Sequence, residues 1–145
     1  MITTSSAAKH LCDISGWRLS NLQLQKMLYL ADMNFVGTFG ERLINENFEA
    51  WDYGPVLPSL YHRVKAFGAK AVPNVFWGSA PVVGREAQMI QTAWDKLQTQ
   101  SPGELVENTH WSNGAWAKRY VPGVRGIKIS IEDMADEYRN RTAGR

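Results

Sequence analysis

The chain has 145 residues, a formal net charge of +2 and a 44% share of hydrophobic side chains, a size and composition that fit one domain with a real core. A charge that small does not imply nucleic acid as a partner. The single cysteine, Cys12, excludes an intrachain disulfide and a cysteine-based zinc framework, and no apolar run approaches the length of a membrane span, about 18 residues.

The predicted elements follow in chain order. Ser5 or Ser6 caps a first short helix with Ala7, Ala8, Leu11 and Cys12 inward, and Gly16 ends it. Ser20 caps a second helix, with Gln23 at the capping-box position. Leu24, Met27, Leu28, Ala31 and Phe35 recur at helical spacing and place this helix at the centre of the core, with Gly37 and Gly40 ending it. Leu43-Ile44 and Phe48-Glu49-Ala50-Trp51 read as short extended pieces around Asn45-Glu46-Asn47, a small hairpin or irregular segment near residues 43–53. Gly54-Pro55 reads as a helix start, and Val56, Leu60, Val64 and Phe67 form the inner stripe up to Gly68.

Residues 69–84 read as a loop carrying an apolar Val75-Phe76-Trp77 patch. Glu86 opens a helix with Ala87, Ile90, Trp94 and Leu97 inward. Ser101-Pro102-Gly103-Glu104 combines an N-cap, a first-turn proline and a capping-box glutamate. Ser112 starts a turn carrying Ala115 and Trp116, and 121–126 is a loop. Ser130 and Asp133 frame a last helix with Ile131, Met134, Ala135 and Tyr138 on one face, and the tail after Arg139 is expected to fray. The fold class is therefore mainly α: a compact helical bundle with one small extended segment, a single domain over 1–145 with its core at about 7–140.

Chemistry-bearing patterns are sparse. His10, His62 and His110 lack the spacing of a metal site, the glycines form no phosphate loop, and no serine sits in a nucleophile elbow. No metal, no cofactor and no enzymatic activity are expected. Glu49 and Asp52 form a carboxylate pair whose simplest role is structural hydrogen bonding. Lys26 is expected to pair with Glu49 or Asp52 while its stem covers the core edge. Trp51 and Tyr53 are either core plugs or interface anchors. The candidate protein-binding residues are thus Lys26, Glu49, Trp51, Asp52 and Tyr53.

Leu24-Gln25-Lys26-Met27-Leu28-Tyr29, Phe48-Glu49-Ala50-Trp51 and Tyr53-Gly54-Pro55-Val56, followed by Pro58, Leu60 and Tyr61, together resemble the Panacea domain, the GepA-like or SocA-like antitoxin family. Thr109-His110 and Trp116 match its later region, and 131–138 its closing helix. The resemblance implies a mostly helical antitoxin that binds and neutralises a cognate protein toxin; the opening residues lack the pattern of a signal peptide, so a cytoplasmic location is expected. The resemblance also implies a second route, delivery of the toxin to a AAA+ protease. It attaches no enzymatic activity. Two other readings stand beside it. One is a DNA-binding autoregulator, for which Lys118, Arg119, Arg125 and Lys128 would have to converge with the arginines of the last helix. The other is a phage-associated interaction module without a toxin. No membrane partner is expected.

Overall fold

A computed structural model describes residues 1–143. In chain order the elements are α1 (Thr4–Ser15), α2 (Asn21–Phe39), β1 (Glu49–Trp51), β2 (Gly54–Val56), α3 (Pro58–Val64) with a 3-10 turn at Lys65–Phe67, α4 (Gly84–Leu97), α5 (Pro102–Thr109), α6 (Ala115–Arg119) and α7 (Ile131–Thr142). The chain is a helical bundle with a small two-stranded hairpin.

The bundle is organised around α2. Its 19 residues span about 28 Å. The Ser20–Gln23 capping box is formed in both directions: Ser20 Oγ accepts from the Gln23 N–H, and Gln23 Oε1 accepts from the Ser20 N–H. From Leu24 to Val36 nearly every side chain is buried, on every face of the helix. A helix apolar all round must be enclosed by neighbours, and α1, α3, α4, α5, α7 and β2 all pack against it. Cys12 sits in this core, its thiol pushed up to about 12 by burial, so it is a packing residue and not a nucleophile.

Several local readings need correction. The cap of α1 is Thr3, whose Oγ1 accepts from the Ser6 N–H, so the helix starts before Ser5. Gly37 does not end α2; Gly40 does, in the left-handed conformation with its N–H on the Val36 carbonyl. Gly37 lies inside the helix where the Tyr138 ring of α7 rests on it, and a Cβ there would overlap that ring. Nor does Gly54-Pro55 start a helix. Both residues belong to β2, in register with Trp51 and Ala50, and Pro58 takes the first helical position instead. The hairpin turns at Asp52-Tyr53, not at Asn45-Glu46-Asn47. The Leu43-Ile44 segment instead lies beside Ile2, in a parallel bridge at Ile44. Residues 127–129 run along the other edge of β1: the Ala50 N–H donates to the Ile127 carbonyl (2.9 Å) and the Ile129 N–H to the Phe48 carbonyl (2.8 Å). The stretch after Arg139 is helical to Thr142, because Arg141 donates to Glu137 (2.7 Å) and to the Asn108 side chain and carbonyl. Gly144 and Arg145 of that tail lie outside the described residues.

The Gly37 contact gives a direct test. Gly37→Ala should lower stability by about 1–3 kcal/mol in urea melts despite alanine's better helix propensity, because the Tyr138 ring must move. Gly103→Ala in α5, where an added Cβ meets nothing closer than 3.9 Å, should be neutral or slightly stabilising.

Candidate functional site

Four polar side chains of α2 are buried, and each bonds to a different part of the chain. Asp32 accepts from the Leu43 N–H (2.8 Å) and the Ile44 N–H (3.4 Å); burial raises its carboxyl to about 6, with these N–H groups pulling the other way. The Tyr29 hydroxyl donates to Glu137 Oε1 (2.7 Å), which also accepts from the Ala115 N–H (2.9 Å). Gln25 makes a two-way clamp on Leu57, accepting from its N–H (2.7 Å) and donating to its carbonyl (3.2 Å). Lys26 Nζ donates to the Pro55 carbonyl at 3.0 Å.

The clamp and the lysine fix the hairpin over the first turns of α2, and a cleft of about 600 Å³ opens there. Its floor is Gln25 and Lys26. Its walls are Trp51, Tyr53 and Val56 of the hairpin, Tyr61 of α3, and Val124 and Arg125 of the loop at 120–126. The hairpin aromatics differ in exposure. Trp51 is only 7% exposed, set edge-on to Tyr61 (centroids 4.8 Å apart) with its indole N–H on Glu49 Oε1 (2.9 Å). Tyr53, at the tip of the turn, is 73% exposed.

The loop that closes the cleft is held by the two acids. Asp52 accepts from the Tyr120 hydroxyl (2.7 Å) and the Gly123 N–H (3.3 Å), and these bonds, the first above all, hold its carboxyl below the usual carboxylate range. Glu49 accepts from the Gly126 N–H at 3.1 Å. Arg125 is thereby carried over the cleft wall, its guanidinium 4.1 Å from the Trp51 ring centroid and 5.5 Å from that of Tyr61. Beneath the loop, His110, Trp116 and Tyr120 form a continuous stack, with centroid separations of 3.7 and 4.4 Å. The Trp116 indole N–H donates to the Trp51 carbonyl at 2.6 Å.

Lys26, Trp51, Asp52 and Tyr53 therefore meet at one cleft, and Glu49 stands behind its wall. The expected pairing of Lys26 with Glu49 or Asp52 is not formed: both acids point to the 120–126 loop, and the ammonium is 1% exposed with a backbone carbonyl as its partner. Burial without a counter-ion lowers it from 10.5 to about 7. Arg125 and Tyr61 complete the site; the sequence showed Arg125 only as part of a basic cluster and Tyr61 only at the end of the family motif.

Most of the other basic residues named with Arg125 are paired with acids of α7. Asp133 takes Lys118 (3.4 Å) and Arg119 (2.5 Å), Asp136 takes Lys118 and Arg139, and Glu137 takes Arg141. Arg145 lies outside the described residues. Among the described residues no group of histidine, cysteine and acidic side chains is placed to hold a metal ion, and no helix is long and apolar enough to cross a membrane.

The fold and cleft are those of a helical domain with an aromatic-walled concavity. The comparisons name the kind. The family described as "Antitoxin SocA-like, Panacea domain" matches residues 24–117, and the chain belongs to it. The chain is also 34% identical over 136 residues to Antitoxin SocA of Caulobacter vibrioides (strain NA1000 / CB15N), an alignment covering 83% of this chain and 72% of that protein. No solved structure matches. The matched span holds the cleft floor, the hairpin and Tyr61, and stops before the loop that brings Arg125.

The lysine sets a pH signature. Between pH 7 and 10.5 the unfolded chain holds a proton on Lys26 that the folded chain does not. Stability should therefore rise with pH across that window, by up to about 1.4 kcal/mol per unit, and be flat with respect to this group below it. Urea melts from pH 6 to 10 should show this rise in the unaltered chain relative to Lys26→Met. Parallel curves would contradict the assignment.

Proposed function

We propose that this chain neutralises a cognate protein toxin by direct binding, seating part of the toxin in the cleft above Lys26 with Tyr53 as the exposed anchor. One observation carries the reading. Tyr53 presents a nearly free aromatic ring at the tip of a tight turn, at the mouth of an apolar cleft large enough for several side chains. Exposed aromatics beside preformed pockets are where binding energy concentrates. Family membership supports the class of partner, a protein toxin. Trp51, by contrast, is tied into the wall and supports the site instead of offering itself to a partner.

Occlusion is the mechanism the cleft favours. Delivery to a AAA+ protease would need a second surface for the protease. The two routes separate in cells, where occlusion leaves the toxin's level unchanged and delivery lowers it in a protease-dependent way. A DNA-binding role is disfavoured by the carboxylates that neutralise Lys118, Arg119, Arg139 and Arg141. A DNA complex that weakened steeply with salt would revive it.

The test starts with the protein encoded by the adjacent gene. Expressed alone it should arrest growth, and co-expression of this chain should restore it. Tyr53→Ala should weaken the complex by about 2 kcal/mol, some thirtyfold, in calorimetry, with an unchanged circular dichroism spectrum. A harmless neighbour, or equal affinity for the variant, would sink the proposal.

A further inference from the structure

The strap that follows α6 is attached to the hairpin and not to the core. From Val121 to Gly126 every residue is exposed, Val121 by 45% and Val124 by 42%, and full burial resumes only at Ile129. Burial therefore does not fix where the strap lies. Its backbone is shaped locally. Val121-Pro122-Gly123-Val124 is a turn, with the Val124 N–H on the Val121 carbonyl (3.1 Å). Proline stands at its second position and a left-handed glycine (φ 73°) at its third, the residue pattern of a type II turn. Gly126 is left-handed as well (φ 91°). An added Cβ would meet nothing within 4 Å at either glycine, so these residues set the path of the backbone without packing it against anything.

Three bonds to the hairpin place the shaped strap. Asp52 spans the turn, accepting from the Tyr120 hydroxyl on one side and from the Gly123 N–H inside it. Glu49 takes the Gly126 N–H beyond it. Arg125 lies between these two holds, over the Trp51 and Tyr61 rings, and it lines the cleft together with Val124. Among the described residues no acid lies within ion-pair distance of its guanidinium. Tyr120 is fixed from below by its stack on Trp116, and it does not line the cleft.

We infer that Tyr120 is a positioning residue for toxin binding: its bond to Asp52 latches the strap so that Val124 and Arg125 stand as a wall of the cleft, where Arg125 meets the bound toxin. The inference rests on the cleft being the docking site. It adds the wall residue that the toxin touches and the residue that holds that wall. Asp52 is a poor handle on the latch, because it lines the cleft and precedes Tyr53, so replacing it would mix latch and contact. Tyr120→Phe separates the two. The ring keeps its stack on Trp116, and the strap loses one of the three bonds that tie it down. The wall is then in place for a smaller fraction of the time, and the apparent dissociation constant rises by the inverse of that fraction.

The test begins with the free chain. The Arg125 side chain lies over two aromatic rings, so its NMR signals carry their ring-current shifts. Tyr120→Phe should move those signals toward the values of an unstructured arginine. The Ile129 amide, bonded to the Phe48 carbonyl, should keep both its shift and its slow exchange. Arg125 signals that stay in place would overturn the latch. A double-mutant cycle on the complex with the adjacent-gene product follows. In calorimetry Arg125→Ala should weaken binding at least about tenfold, and Tyr120→Phe about three- to tenfold. The double variant should be no more than about twofold weaker than Arg125→Ala alone, since the latch acts through the residue already removed. Full additivity, or an unchanged affinity in either single variant, would overturn the inference. Tyr53→Ala distinguishes the ways to fail. If it weakens the complex and Arg125→Ala does not, the toxin docks at the cleft without using the strap. If none of the three variants weakens it, the docking reading falls and this inference with it.

Discussion

The enclosure of α2 is the constraint on which the rest of this structure depends. A helix packed on every face cannot leave polar side chains in water, so Gln25, Lys26, Tyr29 and Asp32 must each find a partner inside the fold. Each finds a different segment. Asp32 holds the chain just beyond the helix at Leu43 and Ile44, and Tyr29 holds α7 through Glu137. Gln25 holds the junction of β2 and α3 at Leu57, and Lys26 holds β2 itself at Pro55. One turn-by-turn series of side chains thus sets the position of most of what surrounds the core.

The site is a by-product of two of those bonds. Gln25 and Lys26 draw the hairpin across the start of α2, and the hairpin's acids then draw the 120–126 loop across the hairpin. Stacking of His110, Trp116 and Tyr120 supports that loop from below. The result is a wall of aromatic rings fixed by hydrogen bonds, with one ring, Tyr53, left free. Among the four buried polar side chains of α2, the bonds of Gln25, Tyr29 and Asp32 satisfy groups that burial would otherwise penalise. The Lys26 bond does so only in part, since a carbonyl takes one donor of an ammonium and none of its charge.

Much of the fold was legible because its signals are local. The capping boxes at Ser20–Gln23 and Ser101–Glu104, the Ser130 cap and the left-handed glycines at Gly16 and Gly40 act within a few residues of themselves. Apart from the local cap of α1, the misreadings come from long-range contact. Gly54-Pro55 has the local look of a helix start, yet pairing with β1 and the Lys26 bond hold it extended. Gly37 looks like a terminator and is a seat for Tyr138 from a helix about a hundred residues away in sequence. The candidate site was legible as a set of residues but not as an arrangement. The sequence suggests Glu49 or Asp52 as a partner for Lys26, and only the fold shows that those acids face the loop.

The central claim is that the partner toxin sits at the mouth of this cleft. Site-specific photocrosslinking locates the contact most directly. A benzophenone side chain placed at position 53, and separately at position 77, would be irradiated with the adjacent-gene product bound. Trp77 is the control, being 80% exposed in the segment between the 3-10 turn and α4 and outside the cleft lining. A covalent adduct from position 53 and none from position 77 is the expected result; an adduct from position 77 alone would contradict the claim.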